Sequence, residues 1–155
     1  MKKVLIFIIL STLISAIFTT SSLAQNSPKK YAKEFFAEYD KNGIESAIDT
    51  LYSTNKWMTK NQDAIENLKK QMIQELDTGS IGEYHGQELL LNKKLTDNYR
   101  ILRYVVRFGR QPIKFTFQFY KPNKEWKIYS FRYSFGLANE LEKASTLELL
   151  DIEEE

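Results

Sequence analysis

The chain has 155 residues, with 22 Lys+Arg, 20 Asp+Glu, one His, no Cys and a formal net charge of +2. That length fits one domain with a tail, and 43% hydrophobic with 14% aromatic residues supplies a core, which excludes wholesale disorder. The absence of Cys excludes disulfides, thiolate chemistry, Cys-zinc sites and the lipid anchor of a lipoprotein signal.

The first residues are a targeting pattern. Met1-Lys2-Lys3 is basic, Val4 to Phe18 is apolar, and Ser22-Leu23-Ala24 places small residues before Gln25. This is the layout of a cleavable signal peptide over residues 1–24, and it predicts a periplasmic or secreted protein. The alternative is an N-terminal anchor, because the uncharged run from Val4 to Gln25 approaches the ~20 apolar residues that cross a bilayer. Cleavage removes Lys2 and Lys3 and leaves 20 basic and 20 acidic residues. A balanced mature chain gives no case for nucleic acid as a partner, nor for a membrane after cleavage.

Three helices are expected next. Ser27-Pro28 is an N-cap followed by proline in the first turn. Tyr31, Phe35, Phe36 and Tyr39 then keep helical spacing until Asn42-Gly43. Ile44, Ala47, Ile48 and Leu51 form the face of a second helix. Thr59-Lys60-Asn61-Gln62 has the capping-box pattern and opens a third, with Ile65, Leu68, Met72 and Leu76 turned inward.

After Gly79 the period becomes two. Strands are predicted over Glu83–Leu91, Tyr99–Phe108, Ile113–Tyr120 and Trp126–Tyr133, with Asn92–Asn98 as a connection. Closely spaced turns make them an antiparallel meander. Leu137, Leu141 and Ala144 then predict a short helix before an acidic end. The fold class is α+β: N-terminal helices packed on a curved four-stranded antiparallel meander, with a short C-terminal helix. The predicted boundaries are a domain over 25–136 and a C-terminal helix and acidic tail over 137–155.

Several of these features resemble the NTF2-like (cystatin-like) superfamily, nearest to its small secreted bacterial members. They are the aromatic first helix from Tyr31 to Tyr39, the strand Gln111-Pro112-Ile113-Lys114-Phe115-Thr116-Phe117, and the closing Phe119-Tyr120-Lys121-Pro122-Asn123-Lys124-Glu125-Trp126-Lys127-Ile128. The resemblance covers about residues 29–133 and implies an α+β cone. Any ligand pocket would then lie between the concave sheet face and the helices. Tyr104, Phe108, Phe117, Trp126 and Arg132 are the candidate ligand-binding residues there. Isomerases of the superfamily keep an Asp base in that pocket. The inward positions of strands two and three hold Leu102, Tyr104, Val106, Phe108, Ile113, Phe115, Phe117 and Phe119, with no carboxylate.

The remaining chemistry is sparse. His85 is the only His, and Glu83, His85 and Gln87 alternate onto one strand face, too few ligands for a zinc site. No catalytic residue, metal or cofactor is assigned. Phe115, Phe117, Phe119 and Trp126 either line an apolar pocket or fill a core. Alternation from Trp126 and Ile128 carries Ser130 and Arg132 inward, unless the strand twists first.

The charge is unevenly placed. Residues 93–132 hold 11 basic and two acidic side chains, whereas residues 133–155 hold one basic and seven acidic. Arg103, Arg107 and Lys114 share the outward face of the second hairpin. Three readings are open: a solvated face that resists aggregation, a face covered by the acidic C-terminal segment, or one that binds an anionic partner. The expected function is a non-enzymatic exported domain that binds a small ligand or an envelope protein, with a possible homodimer through the sheet. The alternative is an isomerase- or hydrolase-type enzyme using the cone pocket.

Overall fold

The structure is a computed structural model that describes residues 26–152. The signal-peptide reading and the last three acidic residues lie outside the described residues. Helix α1 spans Pro28–Asn42 and α2 spans Ile44–Ser53. A 3-10 segment, Lys56–Asn61, leads into α3 (Gln62–Glu75), and a single turn, α4, covers Thr78–Ile81. Four strands follow: β1 (Tyr84–Thr96), β2 (Tyr99–Phe108), β3 (Pro112–Tyr120) and β4 (Lys127–Ser134). The last element is α5, Leu137–Ile152. The sheet order is β1-β2-β3-β4, all neighbours antiparallel. The α+β architecture of helices, meander and C-terminal helix is therefore the one the sequence predicts.

Local chemistry sets the helix ends. The Ser27 hydroxyl accepts from the Lys30 amide at 3.2 Å, and Pro28 occupies the first turn. Gly43, at φ +87°, turns α1 into α2 in a backbone region that side chains disfavour. Ala32, Phe35 and Phe36 on α1, and Ile44, Ala47, Ile48 and Leu51 on α2, are buried as their helical spacing requires. The third helix starts later than the capping box suggests, because residues 56–61 wind as 3-10.

The sheet departs from expectation at its two edges. Asn92–Thr96 continues β1, so the expected seven-residue connection is a two-residue turn between Thr96 and Tyr99. The pairing of β1 with β2 slips between Tyr84 and Gln87, between Leu89 and Leu91, and between Lys94 and Thr96. Each slip is a bulge that bends the strand and raises its twist. Strand β4 has one slip: Phe119 faces Ile128 and Gln118 faces Ser130, so Tyr129 is the extra residue. This reverses the expected alternation. Ile128 and Phe131 are buried, and Arg132 turns outward.

The core lies between the helices and the inner sheet face. Phe35, Phe115, Phe117, Phe119, Leu102, Val106, Ile113 and Ile128 are all 0% exposed. Phe35 meets Phe117 at 5.2 Å and Phe131 at 5.1 Å between ring centroids, and Phe117 meets Phe131 at 4.9 Å. These are edge-on and tilted contacts that favour aromatic pairs. The Asn55 amide donates to the Ile128 carbonyl at 2.8 Å, and the Ile128 N–H donates to the Thr54 hydroxyl at 3.2 Å. The end of α2 is thereby tied to β4. Near the other end of the sheet the Gly109 N–H donates to the Glu83 carbonyl and the Arg110 N–H to the Ile81 carbonyl. A Cβ on Gly82, whose φ is +85°, would stand 2.9 Å from the Gly109 Cα.

Candidate functional site

The residues expected to line a ligand pocket are not gathered in one. Phe117 is fully enclosed by its neighbours. Phe108 packs with Tyr39 and Tyr84 at the opposite end of the interior. Tyr104 is half-buried, its ring 4.9 Å from Phe36 and 5.7 Å from Phe117, and burial raises its pKa. Trp126 lies at the rim under the Lys121 ammonium, 5.2 Å from its ring centroid. Arg132 stands on the outer face, because the Tyr129 bulge shifts the phase of β4 ahead of it. Of this set, only Tyr104 and Phe117 make a ring contact.

His85 is exposed and borders a groove of about 430 Å³ between α1 and the start of β1, lined also by Lys33, Asp40 and Tyr84. The first β1 bulge separates the expected trio. Gln87 accepts at its Oε1 from the Tyr84 hydroxyl and borders the same groove as His85, whereas Glu83 does not line it. Among the described residues, no three His, Asp or Glu gather as metal ligands. Tyr39 and Tyr84 pack at 5.0 Å here, and burial pushes both phenols up to about 12.

The most polar organised feature is the outer face of the sheet. Register puts Arg103, Thr116 and Arg132 in one row across β2, β3 and β4. The next row holds Val105, Lys114 and Ser134. On the other side are Ile101, Gln118 and Ser130. Arg103, Lys114, Thr116, Gln118, Arg132 and Ser134 line a groove of about 260 Å³. Its ends are defined. At one, Glu140 of α5 pairs with the Lys114 ammonium, whose side chain is only 11% exposed. At the other, the Tyr99 and Tyr129 rings meet at 6.1 Å, and the Tyr99 hydroxyl donates to Gln118 at 3.1 Å. Burial raises the Tyr99 pKa, with the neighbouring Tyr129 adding to this and Arg132 opposing it.

The basic residues of this face fare differently. Arg107 pairs with Glu88 at 3.4 Å and donates to the His85 carbonyl at 2.9 Å. Lys114 is answered by Glu140, so the acidic C-terminal segment covers one end of the face. Among the described residues, no carboxylate lines the groove beside Arg103 and Arg132. The Arg103 Nε is shut off from solvent without an acceptor among the described residues, which leaves the terminal nitrogens to meet any counter-charge.

A buried cation on the helical side has no counterpart among the residues the sequence singles out. Lys69 on α3 is 7% exposed and reaches Asp49 on α2 and Glu66, the latter at 2.8 Å. Burial alone would lower its pKa, but the hydrogen bonds it donates to the two carboxylates raise it on balance.

No protein-family model matches the chain, and neither a curated protein nor a solved structure does. Among the described residues, no helix is long and apolar enough to cross a membrane.

Proposed function

We propose that this chain is an exported, non-enzymatic binding domain of NTF2-like type that engages an anionic partner through the outer face of its sheet. The observation that carries this reading is the contrast of the interior with that face. The inner space, where the resemblance would put a ligand, is occupied by Phe35, Phe36, Phe115, Phe117, Phe119 and Phe131, each at most 4% exposed. A ligand there would have to displace ring–ring contacts that the core depends on. The outer groove instead offers two arginines, a threonine hydroxyl and a glutamine. Export is supported by the basic, apolar and small-residue sequence of residues 1–24.

The test uses residues 25–155 on immobilised polyglutamate and on immobilised polylysine. A chain of balanced charge has no net reason to prefer either. Salt-sensitive retention on polyglutamate, abolished by Arg103→Glu with Arg132→Glu, is expected. Equal retention on both, or on neither, overturns the reading. Native mass spectrometry should give the mass of the bare chain; a co-purified apolar ligand would contradict the filled interior. N-terminal sequencing of the envelope or medium fraction should begin at Gln25.

A further inference from the structure

The outer groove is more specific than a basic surface. Its two arginines occupy the same row, separated by one strand, and both side chains leave the same side of the sheet. Neighbouring strands lie about 4.8 Å apart, so the Arg103 and Arg132 backbones stand roughly 10 Å apart over the Thr116 hydroxyl. That is a span two extended guanidinium groups bridge when they converge on one group between them. Strand register fixes where both side chains start, so the pair is held by the sheet and not by a loop.

The charge balance narrows the ligand. Lys114 is taken by Glu140, and Arg107 by Glu88, so neither cation is on offer to a ligand at the centre of the groove. Arg103 and Arg132 remain, with no carboxylate among the described residues that line the groove. Two guanidinium groups and a hydroxyl match a doubly charged tetrahedral oxyanion better than a singly charged planar carboxylate, which one arginine fork satisfies. A groove of about 260 Å³ has room for such a group and the first atoms of whatever carries it.

The geometry points to Arg103, Thr116 and Arg132 as a discrete site for a phosphate group, either free or borne on an ester. This deepens the proposed anionic-partner reading and rests on it. Arg132 is exposed, so its replacement leaves the core intact.

The test titrates residues 25–155 with inorganic phosphate, glycerol phosphate and acetate, following amide shifts by NMR. Saturable one-site binding of a phosphate probe is expected, with the largest shifts at Thr116 and its row. Affinity should fall at least about tenfold in Arg132→Gln and in Arg103→Lys, the latter keeping the charge but losing the fork. Lys124→Gln, in the turn before β4, should bind like the parent. Preference for glycerol phosphate supports an ester-borne group, and preference for inorganic phosphate supports the free ion. Non-saturable shifts, parental affinity in Arg132→Gln, or acetate binding as tightly as phosphate overturns the site. If polyglutamate retention survives that result, the broader reading stands and only the phosphate site falls.

Discussion

Along β3, Ile113, Phe115, Phe117 and Phe119 turn to one side, and Lys114, Thr116 and Gln118 to the other. The inner row is 0% exposed and packs into the apolar core. The outer row is half-buried, and its polar groups have room beside them. One strand therefore supplies both the stability of the domain and its most organised polar surface. Inner positions have spent their interactions on each other, whereas Arg103 and Arg132 still have nitrogen donors to offer. Substitutions should accordingly separate into those that cost stability and those that cost binding.

The largest effect is expected inside. Phe117→Ala removes a ring in contact with Phe35, Phe36, Tyr104, Phe119 and Phe131, and should cost about 3–5 kcal/mol in urea denaturation. A loss below about 1 kcal/mol would mean that the interior is not the packed layer described. Gly82→Ala comes next, at about 2 kcal/mol, because it combines a positive φ with a 2.9 Å approach to the Gly109 backbone. A parental urea midpoint for that variant would dissolve the close approach.

Alkaline pH tests the inner face without mutation. Tyr39 and Tyr84 have folded pKa values of about 12, against about 10 for a tyrosine in an unfolded chain. Between those values the unfolded chain loses the phenolic protons first, so stability must fall as pH rises from about 10 to about 12. Tyr39→Phe should flatten that slope, read from denaturation midpoints across the range; an unchanged slope would remove Tyr39 from the account.

Lys69→Met should change stability by less than about 1 kcal/mol. The methionine fills similar space, and the two carboxylates left behind are substantially exposed. A loss of several kcal/mol would show the ion pairs to be structural. Smallest of all, Arg132→Gln should leave the urea midpoint within about 0.5 kcal/mol of the parent. A larger loss would make the outer face part of the fold and erase the division between the two faces.

The sequence reveals these faces unequally. Period-two alternation between strong turns defines β2 and β3, and with them the outward Arg103 and Lys114. Bulges are harder to see, because an inserted residue changes the phase of a strand without changing its composition. Tyr129 does this in β4, so the alternation that would carry Arg132 inward breaks before it reaches that residue. Leu90 and Leu95 do it in β1, where Lys93 and Lys94 also resemble a loop. Lys69 is hidden for another reason: its neighbour Asp49 lies on a different helix, and only their packing brings the two together.

The placement of the bulges has a consequence for life at high concentration. Both edge strands, β1 and β4, carry bulges, while the central β2 and β3 pair with each other in unbroken register. Three slips leave β1 without the straight ladder that a foreign strand would need to dock. On β4, the N–H and carbonyl of Ile128 are already bonded to Thr54 and Asn55. A sheet rich in phenylalanine is a hazard when its margins are flat and open. Here the same features that curve the sheet over its core also discourage copies of the chain from joining margin to margin into fibrils.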